Sequence, residues 1–148
     1  MSTRSATIIR LTYDTSDALH LYRHSDGYPA CAGQAILDAL DGAECPEQVA
    51  GKLLSMTYDG ERGMRLKAIY HPTDNAANHG DLEHVYEVFY ADGWRVKHAA
   101  RQGWQDNDED FRRWPTSNMS HAEFADYVAQ EQTEMQRRID AYRARQSA

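Results

Sequence analysis

The residues with the most chemical potential lie on the first two extended segments. Arg10, His20, Tyr22 and His24 combine a cation, two imidazoles and an aromatic surface. Asp26 and Tyr28 continue the polar set just beyond. On a semi-rigid ribbon such groups suit a phosphate, a carboxylate or a protein surface, since Tyr and Arg are favoured at interfaces. The plainer alternative is that a neighbouring element covers this face and Tyr22 only packs.

Other constellations carry less. There is no P-loop, no GxGxxG and no HExxH. Among seven histidines, His20 and His24 share a strand face, but four residues along a strand span ~13 Å, too far to share one ion. His71, His79 and His84 flank a polar stretch, and nothing in their spacing fixes a metal geometry. No metal and no cofactor are therefore expected. Cys31 lies near a predicted helix start with His24 upstream, as a thiolate nucleophile would require. Flanked by Ala30 and Ala32, it reads equally well as a small buried residue. Residues 106–110 are acidic, yet lack the glycine and distal glutamate of a calcium loop. They are better read as the first turn of a short helix that ends in Arg112 and Arg113. Its macrodipole suits that order. Phe111 and Trp114 would share a face, and Pro115 would stop the element.

The elements that must position these groups follow from patterning. Residues 6–13 and 19–24 read as strands joined by the turn formers at 14–18. Pairing Tyr13 with Leu19 sets Leu11 against Leu21 and Ile9 against Arg23. Arg10, Thr12, His20, Tyr22 and His24 then share the other face. Gly27 offers a positive φ, and Pro29 opens a helix to about Leu40 with Ile36, Leu37 and Leu40 as its buried stripe; Gly42 ends it. Pro46 opens a second helix holding Val49, Leu53, Leu54 and Met56. A third strand is predicted over 64–71, a polar loop over 72–81, and two strands over about 82–90 and 94–100. For that last pair a three-residue loop separates apolar from charged side chains best. It sets Tyr90 against Trp94, Val88 against Val96, Tyr86 against His98 and Glu87 against Lys97, and puts Gly93 at the left-handed position. The Ser120-x-x-Glu123 capping box then starts a helix to about Arg145, with Phe124, Val128, Met135, Ile139 and Tyr142 at helical spacing. At 1.5 Å per residue it extends ~37 Å, more than a domain of this size needs. Its far end either packs along the sheet or projects, which would allow a homo-oligomer through this helix.

With 148 residues, the chain suits one domain over 1–148. The expected class is α+β: an antiparallel sheet of about five strands packed by helices, with a long C-terminal helix over about 120–145. The net charge is −7, and no run of Lys or Arg offers the concentrated positive face that nucleic acid demands. Two separated cysteines make neither a zinc framework nor a disulfide scaffold. No stretch approaches the ~20 apolar residues that span a bilayer. The polar start has no apolar signal core. A cytoplasmic protein without membrane or nucleic-acid partners is expected.

The segment Thr3-Arg4-Ser5-Ala6-Thr7-Ile8, followed by Leu21-Tyr22-Arg23-His24-Ser25-Asp26-Gly27-Tyr28-Pro29, resembles a group of small bacteriophage and prophage proteins. They open with a Thr-Arg-Ser/Ala strand and carry a Tyr-x-His/Tyr-x-Asp-Gly-Tyr-Pro segment. The resemblance covers about the first 30 residues and implies no catalytic residue. It implies a phage or mobile-element accessory gene acting on host machinery. The leading expectation is a non-enzymatic protein that binds a host protein complex, such as an inhibitor of CRISPR defence. The alternative is a small-ligand binder or an enzyme using the polar face of the N-terminal hairpin.

Overall fold

The computed structural model describes residues 3–11, 17–58, 67–68, 70–76, 79–104 and 109–147. Strands β1 (Ser5–Arg10) and β2 (Ala18–Arg23) open the chain. A π-helical turn (Pro29–Gly33) runs into α1 (Gln34–Leu40), followed by α2 (Pro46–Leu54). Short strands β3 (Thr57–Tyr58) and β4 (Lys67–Ala68) pair with each other. Then come β5 (Tyr70–Thr73), β6 (His84–Tyr90), β7 (Trp94–Ala100), a 3-10 turn (Phe111–Arg113), β8 (Thr116–Ser120) and the long helix α3 (His121–Ser147).

The main sheet has six strands in the order β5-β2-β1-β6-β7-β8. The mixed α and β architecture and the long terminal helix match the sequence reading. The strand count and the pairing correct it. β1 and β6 run parallel, while the other neighbours are antiparallel. The sixth strand, β8, has no apolar alternation, because an edge strand exposed on three residues needs none. Of the strand predicted over 64–71, residues 64–66 and 69 lie outside the described residues; 67–68 pair with 57–58, and 70–73 pair with β2. Pro72 sits in β5 at the sheet edge, where its missing N–H costs no ladder bond.

Residues 12–16, which include Thr12, Tyr13 and most of the predicted turn, lie outside the described residues; over Ser5–Arg10 and Ala18–Arg23 the opening hairpin keeps its predicted faces but not its register. Ile9 pairs with Leu19, Thr7 with Leu21 and Ser5 with Arg23. The shift is even, so no side chain changes face. It places small Ser5, not Ile9, opposite the long Arg23, and the Leu11 N–H to Asp17 C=O bond (3.1 Å) closes the ladder. The β6–β7 hairpin has the predicted register throughout, with Asp92 (φ 55°) and Gly93 (φ 117°) both left-handed in its loop.

Each face of the sheet buries a different layer. Ile9, Leu21, Tyr86, Val88 and Val96 pack beneath the three helices, against Ile36, Leu53, Phe124 and Val128. Each such side chain contributes ~1.5–3 kcal/mol by leaving water. The opposite face carries Ala6, Ile8, Val85 and Ala99, covered by Ala76, Leu82 and Trp114 from connecting segments. α3 begins with the predicted capping box: Ser120 N–H donates to Glu123 (2.9 Å), and Glu123 N–H donates to the Ser120 hydroxyl (3.2 Å). No helix among the described residues is long and apolar enough to cross a membrane.

Candidate functional site

The polar hairpin face is present, and the segment after β5 folds across part of it. Arg10 forms an ion pair with Glu87 of β6. His20 Nδ1 accepts the Ala76 backbone N–H at 3.0 Å. Burial, and then the charge of Arg10, push the His20 pKa down, so the ring is a neutral acceptor. The Tyr22 hydroxyl donates to Asp81 Oδ2 at 3.0 Å, and its ring stacks on His79 at 4.3 Å. Burial and then the Asp81 carboxylate push the Tyr22 phenol up to about 12. His79 Nε2 lies 3.0 Å from the Thr73 hydroxyl.

A charged corner closes this assembly. Arg4 Nε lies 2.9 Å from Asp81 Oδ2 and donates to His24 Nδ1 at 3.3 Å. The Tyr22 hydroxyl is 3.4 Å from the same His24 nitrogen. Asp81 Oδ1 is buried with no hydrogen-bond partner among the described residues. The structure therefore brings Arg10, His20, Tyr22 and His24 onto one side of the sheet, with His24 exposed at its margin. Asp26 and Tyr28 stand apart. The Tyr28 hydroxyl donates to Asp26 Oδ1 at 3.3 Å, and Tyr28 lines a groove against α3. Burial, followed by Cys31 and Asp26, raises its pKa.

Local sequence explains why the chain turns where it does. Asp26, not Gly27, takes the left-handed conformation, at φ 57°. Gly27 is needed for close approach: a Cβ there would lie 2.7 Å from Ser5 Cβ. Its N–H donates to the Thr3 carbonyl (2.8 Å), and its carbonyl accepts the Tyr86 hydroxyl (2.8 Å).

A second polar assembly, beneath the helices, was not singled out by the sequence. His84 Nδ1 and His98 Nε2 are 2.9 Å apart. Both rings stack with Tyr86, and Tyr127 of α3 lies 5.5 Å from His98. Burial holds the His84 pKa down at about 4; burial and then His84 hold His98 at about 3. The pair is thus neutral, one ring donating and the other accepting. Nearby, buried Arg23 donates from Nε to the Ser25 carbonyl (2.7 Å) and from Nη1 to the Tyr70 hydroxyl (3.2 Å). The signal was available: the predicted β6–β7 register already sets His84 and His98 diagonally on one face.

The weaker sequence constellations disperse. His71 is exposed, His79 meets Thr73 and His84 meets His98, so the three do not converge. Among the described residues, no three or more His, Cys, Asp or Glu side chains are grouped to hold a metal ion. Cys31 sits half-buried in the π-helical turn beside Tyr28, while His24 is engaged by Arg4 and Tyr22. Of the acidic run, residues 106–108 lie outside the described residues. Asp110 caps the 3-10 turn by accepting the Arg112 N–H at 3.1 Å, and Phe111 meets Trp114 edge to face. No model of a known protein family, no curated protein and no solved structure matches the chain.

Proposed function

We propose that the chain is a non-enzymatic binding protein that covers a surface of a partner protein. One observation carries this reading. The reactive side chains of the hairpin face are spent on groups from neighbouring segments: Arg10 on Glu87, His20 on the Ala76 backbone N–H, Tyr22 on Asp81 and His79. A catalytic base or nucleophile needs a free, aimed polar atom beside a space for substrate. What remains outward is a braced polar corner, with His24 exposed beside Arg4 and Asp81, and Asp26 exposed two residues on, against the Tyr28 hydroxyl. Ordered polar groups of this kind give specificity to a docking surface at low entropic cost. The resemblance of the opening segments supplies the setting: a phage or prophage accessory gene, a host protein complex as partner and host defence as its target, in the host cytoplasm.

The test is capture from host lysate with cross-linking and mass spectrometry. His24→Ala combined with Asp26→Ala should lose the captured partner, while Arg10→Ala, an internal pair, should keep it. Loss with Arg10→Ala alone, or no loss with the double variant, counts against the corner as the docking surface.

A second reading, a small-ligand site on the same corner, draws on Asp81 Oδ1, a buried carboxylate oxygen without a hydrogen-bond partner among the described residues. It requires that Asp81→Asn change the binding of a cationic or hydroxylated small molecule in a calorimetric screen.

A further inference from the structure

Helix α3 is longer than the body that carries it. Its buried side chains, Phe124 and Val128, lie in its first two turns. The stripe they begin continues at Met135, Ile139 and Tyr142, at spacings of seven, four and three that keep one face. There the cover ends: Ile139 is 36% exposed and Tyr142 57%. Beside Met135 lies a groove of about 320 Å³ between α3 and the π-helical turn, floored by Tyr28, Pro29 and Ala30. Glu131, Glu134 and Arg138 complete its wall. One molecule thus presents both an apolar slot with an acidic margin and an apolar tail with a basic one.

We infer that two copies of the chain pair through antiparallel α3 helices, each placing Tyr142 in the groove of the other. A two-fold centre near residue 137 fixes the register. Met135 then faces Ile139 of the second copy, and Gln132, beside Ala30, comes level with its Tyr142. Glu131 falls within one turn of Arg145 of the second copy, twice by symmetry. The charges favour this arrangement over a parallel one. Glu134 is already paired with Arg137 and Arg138 in its own helix, whereas Arg143 and Arg145 make no ion pair among the described residues. A contact in which the same patch meets itself is self-complementary, the requirement of a two-fold dimer. An overlap of ~18 residues pairs ~27 Å of helix, a small contact of the kind that weak, reversible association makes.

This inference does not depend on the proposed partner, and its test uses the full chain alone. Sedimentation velocity from 1 to 100 µM, as ~order-of-magnitude loading limits around micromolar affinity, should show a reversible dimer. Tyr142→Glu should leave a folded monomer whose thermal transition matches that of the wild-type chain at dilution below the dimer range, since that side chain is mostly exposed in the single chain. Arg145→Glu should weaken association at least about tenfold. Combining it with Glu131→Arg should restore the dimer by exchanging the charges. Glu131 accepts a hydrogen bond from Tyr127, so the melting curve of each variant accompanies the measurement. A monomer at every concentration would overturn the inference. So would a dimer that survives Tyr142→Glu, or a charge exchange that fails to restore association in a folded double variant.

Discussion

The two faces of the sheet are built on different principles. Under the helices, the layer is continuous and contains large side chains whose polar atoms are internally bonded, such as Tyr86 to Gly27 and His84 to His98. On the other face, the apolar residues are mainly small, and the cover comes from connecting segments. Polar side chains there pair at the margin, as Arg10 does with Glu87 and Arg4 with Asp81. The first face carries the stability. The second holds polar groups in fixed positions where solvent or a partner can reach some of them. Imidazoles occur on both, and their surroundings separate the roles: His84 and His98 are locked neutral, while His24 lies exposed beside Arg4.

Removing a comparable apolar group from each face gives the largest contrast. Phe124 is fully buried against Tyr86 and the helix layer. Phe124→Ala should cost about 3–5 kcal/mol, because helices joined to a sheet cannot collapse into the space. Leu82 is buried equally well but belongs to a connecting segment on the other face. Leu82→Ala should cost about 2–3 kcal/mol, the lower part of the range for such truncations, since a segment without helical constraint relaxes more readily. Urea unfolding of both variants measures the difference. Equal costs would erase the distinction between the faces.

Acid should act first on the helix-covered face. An unfolded histidine takes up its proton near pH 6.5, whereas His84 and His98 in the fold resist until about 4 and 3. The unfolded chain therefore binds more protons across this interval, and stability falls as pH falls. It is complete above about pH 6.5 and drains progressively below it, by about 3 kcal/mol at pH 4 if the pair responds as one unit. His20, also depressed by burial, adds in the same direction. Thermal unfolding between pH 7.5 and 4 should show the decline. Replacing His84 and His98 together with Leu should flatten most of it. An unchanged slope in that variant would move the acid sensitivity to the other face.

These differences also explain what could be read from the chain in advance. The β6–β7 hairpin was legible because its cross-strand pairs and its turn chemistry agree: Tyr90 with Trp94, Glu87 with Lys97 and Gly93 in the loop. The capped start of α3 was legible for the same local reason. β8 was not, because Thr116-Ser117-Asn118-Met119-Ser120 offers only Met119 to the core layer. Nor was the parallel pairing of β1 with β6, which joins segments separated by four strands, a π-helical turn and two helices, so that no local pattern reports it. The hairpin register failed by an even number of residues, a slip that leaves hydrophobic segregation intact and therefore invisible to it. Of the site, the shared side of Arg10, His20, Tyr22 and His24 followed from alternation alone. Their partners Ala76, His79 and Asp81 did not, because they come from a polar segment whose path is set by tertiary contacts.

The smallest effect tests the loop-covered face at its most ordered point. Tyr22 holds Asp81 through its hydroxyl and His79 through its ring. Tyr22→Phe keeps the stacking and removes one hydrogen bond from a half-exposed site. Water can replace the lost partner there, so the cost in stability should stay within about 0.5–1.5 kcal/mol. Tyr22→Ala removes both contacts and should loosen the segment from Ala76 to Asp81, with faster amide exchange at Ala76, whose N–H is held by His20. The helix-covered amides should exchange as before. If Tyr22→Ala instead speeds exchange in β6 and α3, the two faces unfold as one unit, and the polar corner owes its order to the core beneath it, not to its own bonds.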